Sequence, residues 1–258
     1  MRLIEKGPLM GQRLRQSHPT TPADYEEDCR KAAVFFRHNY LRHLPKNSDA
    51  RILEVGCGLG QFLAFCRAQG YHHACGIDLS PENVDFCRSG GFDVEGADAA
   101  GFLGQSGPDF DAVVMSDVLE HIEKDKVLPL LIQILARLSP GGVLLVKTIN
   151  LANPILGAHS RYNDFTHEIG WTEESLRQVL LHVGFHPVEI RPSNLYVFYG
   201  NPLNYPALVL AKALETLFLF YYRLNGRNTT RIFSKNLLAI AHRPSVWPNM
   251  RFSSQHTP

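Results

Sequence analysis

Apolar and polar positions along the chain follow two rhythms. In residues 23–44, Tyr25, Cys29, Ala32, Ala33, Phe36, Tyr40 and Leu44 recur at three- and four-residue steps, which predicts an amphipathic helix that the Pro45 segment ends. From 51 to 149 short apolar runs alternate with helical stretches. The pattern predicts strands at 51–55, 73–77, 92–95, 110–115 and 142–149, and helices at 61–69, 81–89, 99–103 and 117–138. This is the signature of βαβ units, hence of an α/β chain with a parallel sheet covered on both faces. Pro140-Gly141-Gly142 supplies the stop before the fifth strand. After a loop containing 161–170, a helix is expected over 172–183, with Thr172 as N-cap, Glu173 and Glu174 in its first turn, and Gly184 at its end. Two further strand-like runs, 186–191 and 237–242, are separated by a long stretch, 192–235.

Composition narrows the field. With 258 residues and 45% hydrophobic content the chain can bury a sizeable core. A net charge of +1 and the lack of a dense Lys/Arg run argue against nucleic acid as a partner. Cys29, Cys57, Cys66, Cys75 and Cys87 form no CxxC pair, and an odd number does not suit a closed disulfide framework, so a reducing, cytoplasmic setting is expected. Residues 1–21 read as a loose arm. Charged residues interrupt its first eighteen positions, so it lacks the apolar stretch of a secretory signal. No segment has the length of charge-free apolar sequence that a membrane span needs.

The chemistry concentrates where the first strand runs into glycines: Ile52-Leu53-Glu54-Val55-Gly56-Cys57-Gly58-Leu59-Gly60. Glycines let the backbone approach a ligand, and the helix beyond offers free N–H groups. Asp78 closes the second strand, where a carboxylate reaches the ribose hydroxyls of an adenosine cofactor. The spacing is G-x-G-x-G, and Glu54 precedes the loop. A carboxylate there repels a pyrophosphate and suits the ammonium and sulfonium of S-adenosylmethionine (SAM).

These motifs resemble the class I SAM-dependent methyltransferases over residues 51–184, with a return strand at 237–242. The resemblance implies a Rossmann-like, doubly wound sheet of about seven strands, mostly parallel with an antiparallel last strand, carrying an N-terminal helix and a helical insertion before the last strand. It implies that Glu54 and the backbone of Gly56, Cys57 and Gly58, with Gly60 closing the loop, hold the methionine part of SAM. Asp78 would bind the ribose and Leu79 pack on the adenine. Asp98, followed by Ala99, matches the residue that meets the adenine amino group. The run from Asp109 to His121, which includes Ser116, resembles the family's fourth-strand motif, and 138–142 its turn before the fifth strand.

Methyl transfer to a hydroxyl needs alignment and removal of a proton, for which histidine is suited near neutral pH. His121, in Leu119-Glu120-His121, lies beside the cofactor in methyltransferases with a similar motif. His167, in Asp164-Phe165-Thr166-His167, is expected as general base or acceptor ligand with Asp164 orienting it. That segment, with 171–176 after it, is similar to a bacterial branch associated with glycans and secondary products. Asp164, His167 and Glu168 have no metal-specific spacing, so no metal is expected.

The chain is thus divided into an N-terminal arm and helix (1–50), a SAM-binding domain (51–191), an apolar helical insertion (192–235) and a return strand with tail (236–258). In the insertion, 207–222 is apolar except for Lys212, Glu215 and Thr216, which with Arg223 fall on one helical stripe, leaving an apolar face too wide for a simple surface helix. Extra core, a lid over the acceptor, a homodimer contact and a peripheral membrane contact through 207–223 that would also use Arg227 and Arg231 are all open readings. The expected activity is methyl transfer from SAM to an oxygen of a small acceptor, a sugar or lipid-linked glycan precursor. The alternatives are a quinone-type or natural-product O-methyltransferase, a nicotinamide-dependent oxidoreductase, and a non-catalytic nucleotide-binding module.

Overall fold

A computed structural model describes residues 21–193, 202–226 and 229–245. The expectations for the arm at 1–20, for Arg227 and for the tail beyond 245 lie outside the described residues.

Seven strands form one sheet in the order β3-β2-β1-β4-β5-β7-β6. They are β1 (Arg51–Val55), β2 (His73–Asp78), β3 (Asp93–Gly96), β4 (Phe110–Ser116), β5 (Leu138–Ile149), β6 (Val188–Ser193) and β7 (Asn236–His242). Every pairing is parallel except those of β7, which runs antiparallel to both β5 and β6. The central strands are buried on both faces, which is why β4 and β5 read as continuous apolar runs rather than alternating ones.

Helices α1 (Pro22–Asn39), α2 (Gln61–Ala68), α3 (Pro81–Ser89), α4 (Ala99–Leu103), α5 (Lys124–Arg137), α6 (Leu156–Tyr162), α7 (Glu173–Val183) and α8 (Asn204–Leu224) connect or flank the strands. One face of the sheet packs on α5 and α7 through Leu131, Ile134, Leu176 and Leu180. The other packs on α1 and α2, where Phe36, Tyr40, Phe62 and Phe65 form an aromatic cluster with ring centroids 5.2 to 6.2 Å apart. Helix α1 therefore belongs to the same core as the sheet, although the sequence pattern set it apart with the arm.

Three expectations are corrected. The single helix predicted over 117–138 is broken: Asp117 takes a left-handed φ of 55°, a 3₁₀ turn spans Leu119–His121, and α5 starts only at Lys124. Strand β5 begins at Leu138, because Leu138 already pairs with Phe110 before a register shift lets the Pro140-Gly141 corner bulge. The stretch leading into the predicted 161–170 loop is helical as α6, since Asn153 Oδ1 accepts from the N–H groups of Ile155 and Leu156 and so starts a helix the apolar pattern did not announce. Among its described residues the predicted insertion holds one long helix, α8.

Candidate functional site

Three left-handed glycines shape the turn from β1 into α2. Gly56, Gly58 and Gly60 all have positive φ (70°, 53° and 76°), and a side chain on Gly60 would bring a Cβ to 3.0 Å from Cys87 Sγ. Helix α1 fixes the outer side of the turn through Tyr25, whose hydroxyl donates to the Leu59 carbonyl at 2.9 Å. From the next strand Asp78 fixes the inner side: one oxygen accepts from Gly58 N at 2.8 Å, the other from Ser80 N at 2.9 Å and Asn83 Nδ2 at 3.2 Å. Asp78 thus shapes the loop from a buried position.

A cavity of about 530 Å³ opens beside this turn, lined by Glu54, Gly56, Cys57, Gly58 and Ser116 from the sheet side. Asp28, Lys31, Ala32, Phe35 and Phe36 of α1 and Lys147 of β5 close it. Glu54 is buried, and its Oε2 has no hydrogen-bond partner among the described residues. Burial pushes its carboxyl well above the usual range, and the nearby Cys87 and Asp78 add to the effect. A buried carboxyl with one oxygen unpartnered among the described residues fits a ligand that brings an ammonium, and it does not fit a pyrophosphate. A separate cavity of about 600 Å³ lies past the end of β2, lined by Leu79, Gly96, Ala97, Asp98 and Phe102 among others. Leu79 stands 67% exposed there. Asp98 caps α4 by accepting from Gly101 N at 2.9 Å, and Ala99 is the first residue of that helix. Gly60 is the left-handed N-cap of α2. Ser116 Oγ lies 2.8 Å from the Tyr40 hydroxyl, which ties the end of β4 to the aromatic cluster.

A third cavity of about 260 Å³ adjoins the first, sharing Phe35, Asp117 and Lys147 with it. Its other walls are Glu120, Ile149, Ser160, Asn163, His167, Lys235 and Asn236. Asp117, in its left-handed conformation, is ion-paired with Lys147, whose ammonium also lies 5.4 Å from the Phe35 ring centre. Strain of this kind gathers at functional sites.

The two histidines come together here, with ring centroids 4.6 Å apart. His167 Nδ1 donates to the Ser160 carbonyl at 2.8 Å, because a carbonyl can only accept. His121 Nδ1 sits 2.8 Å from Thr166 Oγ1, which in turn donates to Asp164 Oδ1 at 2.7 Å. With its proton committed to Asp164, Thr166 accepts from His121. Both neutral imidazoles therefore carry their lone pair on Nε2. Asp164 does not orient His167 directly, as the residue spacing suggested; its hydrogen bonds go to Thr166, and through Thr166 it orients His121. Those bonds, with the nearby histidines, hold its carboxyl below the usual range despite the opposing cost of burial.

Glu120 lies beneath this pair, fully buried, accepting from Thr148 Oγ1 at 2.8 Å. Burial, and then the charge of Asp117, push its carboxyl up to about 8. Glu120, His121 and His167 each offer one ligand atom, and these lie within 4.8 Å of one another, so one carboxylate and two imidazoles converge in a set that could hold a divalent cation. No metal-specific spacing marks this set in the sequence, and it could not be read from there, because the approach of the 120–121 turn to the 160–168 segment is tertiary. Sequence reasoning also missed the walls supplied by α1, Asp117 and Lys147. A signal for Lys147 was present: it is the one charged residue in the apolar run from Val143 to Ile149.

Comparison with known proteins gives the family and the fold. The sequence model of the methyltransferase-domain family matches residues 27–190, beginning inside α1. The ubiquinone biosynthesis O-methyltransferase of Xylella fastidiosa (strain 9a5c) is 32% identical over 121 residues, 44% of this chain and 48% of that protein. The protein of the same name from Chelativorans sp. (strain BNC1) is 30% identical over 137 residues, 48% of this chain and 53% of that one. The match thus spans about half the length of these curated relatives. Among solved structures, a SAM-dependent methyltransferase from Archaeoglobus fulgidus superposes with a TM-score of 0.60 at 22% identity, over 84% of this chain and 97% of that one. An S-adenosylmethionine-dependent methyltransferase from Mesorhizobium loti does so with a TM-score of 0.52 at 21% identity, over 78% and 94%. At these identities the likeness is one of fold.

Proposed function

The chain belongs to the methyltransferase-domain family with SAM as its methyl donor, and from that premise we propose that it methylates a hydroxyl oxygen of a small, quinone-type aromatic acceptor. The names of the curated relatives favour this acceptor over a sugar. The observation that carries the reading is the small third cavity, which abuts the larger one across Phe35, Asp117 and Lys147 and presents His167 in its wall. A volume of about 260 Å³ suits a single substituted ring.

Glu54 would take the ammonium of SAM, the N–H groups of the glycine turn its carboxylate, and Asp78 its ribose, with Leu79 and Asp98 at the adenine. When bound, SAM supplies a methyl group made electrophilic by the sulfonium. Phe35 and Ile149 hold the acceptor ring by its faces and exclude water, while Asn163 and Asn236 fix its polar substituents. His167 Nε2 would accept the proton of the acceptor hydroxyl as its oxygen is methylated. The Ser160 carbonyl keeps His167 in the tautomer this requires, and Asp164, below its usual carboxylate range, is a nearby anion for the imidazolium. His121 is placed by Thr166 to support the ring of His167. The carboxylate and two imidazoles favour a second reading, in which a divalent cation between them lowers the hydroxyl pKa.

The test is incubation with methyl-labelled SAM against a panel of catechols and hydroquinones and a matched panel of sugars, with and without chelator. Labelled methyl ethers from the aromatic panel support the reading, and loss of turnover with chelator selects the cation. Labelling confined to sugars would overturn the acceptor assignment.

A further inference from the structure

We propose that α8 lies in the headgroup layer of a negatively charged lipid bilayer, holding the acceptor cavity at the membrane surface. At 21 residues it is about 30 Å long. No described helix is long and apolar enough to cross a membrane, so the contact would be in the plane. Its inner side rests on the body of the protein: Phe218 and Tyr222 pack on Phe233 at 6.0 and 4.9 Å between ring centres, and the Tyr222 hydroxyl reaches the Ala152 carbonyl. The outward side carries Val209, Leu210, Leu217, Phe220, Tyr221 and Leu224, each between 58% and 69% exposed. Turned at 3.6 residues per turn, these six fall in one sector of about 120°. A lid would direct that sector at the cavity, whereas here it faces solvent.

Charge identifies what covers it. Residues 192–235 hold five cations (Lys212, Arg223, Arg227, Arg231, Lys235) against one acid, Glu215, giving +4, while the whole chain nets +1, so the remainder carries −3. Glu215 is taken up by an ion pair to Lys212. On the helical wheel Lys212 and Arg223 share one edge of the apolar sector, beside Thr216, the arrangement of a helix that sinks its apolar face among acyl chains and sets its cations against anionic headgroups. A second copy of the chain is disfavoured, since two-fold pairing would bring one cationic segment against another. The helix also stands at the acceptor end of the sheet: Lys235 and Asn236, which line the third cavity, come two and three residues after Phe233. This proposal does not depend on the identity of the acceptor.

The test is co-sedimentation of the full chain with phosphatidylcholine vesicles, with and without phosphatidylglycerol, run beside sedimentation velocity without lipid. We expect binding to the phosphatidylglycerol vesicles that weakens as salt rises, and at least about ten-fold weaker partitioning for the Leu217→Glu, Phe220→Glu double variant, whose substitutions sit at exposed positions. Unchanged circular dichroism and SAM affinity in that variant would assign the loss to the surface. In an otherwise native chain, Phe220→Trp should be quenched by brominated lipid. Absence of binding to either vesicle would overturn the proposal, as would a dimer in lipid-free solution that the double variant dissociates.

Discussion

Replacing Glu54 by Gln separates two consequences of burying an unpaired carboxyl. In the ligand-free protein this group lies fully inside, one oxygen has no hydrogen-bond partner among the described residues, and burial raises its pKa well above the usual carboxylate range. When an ammonium arrives the carboxylate form is favoured, so the group must give up its proton on binding. Affinity for SAM should therefore rise with pH through the raised pKa and fall as pH drops below it, with proton release to the buffer. Gln keeps the shape and one acceptor but not the charge. A charge-assisted hydrogen bond is worth about 1.5–3 kcal/mol, and breaking a buried ion pair costs about 3–5 kcal/mol. The loss should then be about 2–4 kcal/mol, or about 30- to 1,000-fold in Kd. Calorimetric titration of both proteins with SAM, in buffers of different ionisation enthalpy, measures affinity and proton release together. The ligand's own titration is common to both and cancels in the ratio. Equal Kd values with parallel pH dependence would refute the assignment of Glu54 as the partner of the ammonium. Because the ligand-free carboxyl keeps its proton, Gln replaces one neutral buried group with another of the same shape, so the ligand-free melting temperature should hold and a weakened Kd would not report misfolding.

Other expectations follow from the same geometry. Asp78→Asn, which keeps the shape but weakens the acceptors for Gly58 N, Ser80 N and Asn83, should weaken SAM binding by at least about ten-fold and lower the melting temperature. An effect on binding alone would assign Asp78 to the ligand rather than to the loop. His167→Gln should lower kcat by about 10²- to 10⁴-fold at unchanged SAM affinity, with no loss of fold by circular dichroism. Thr166→Val, which cuts the link between Asp164 and His121, should shift the pH profile of kcat more than it changes KM; an unmoved profile would show the link to be structural only. Glu120 keeps in the folded state, up to about 8, a proton that the unfolded chain loses at ordinary carboxylate pKa. The folded form then binds more protons, so stability should fall as pH rises from about 4.5 to about 8, and Glu120→Gln should flatten that part of the melting curve; identical slopes would contradict it.

Much of the fold was legible because each element carries its own local signal. The bounds of β1, α3 and α4 follow from apolar runs, Ser80 and Asp98 as N-caps, and Pro81 at the first helical position. The glycine turn and Asp78 were legible for the same reason. What was not legible depends on contacts between distant segments. The helical pattern at 117–138 hid the left-handed Asp117 and the turn at Leu119–His121, because apolar spacing continues through both while the Lys147 pair and the Glu120 carbonyl, accepting from Glu168 N and Ile169 N, impose the break. The role of Thr166 was invisible because threonine has no sequence signature for bridging a carboxylate to an imidazole contributed by another segment 45 residues away. Helix α1 looked like a separate N-terminal element since its periodicity marks an apolar face but not what that face covers. Its Phe35 and Phe36 line the cavity beside the glycine turn.

The most direct test of the whole account is a single-turnover reaction of the protein with methyl-labelled SAM and a catechol, followed by mass spectrometry of the products. One equivalent of S-adenosylhomocysteine matched by one equivalent of mono-O-methylated catechol, strongly reduced in the His167→Gln protein, is the expected result. S-adenosylhomocysteine formed without a methyl ether, or undiminished ether formation by His167→Gln, would contradict it.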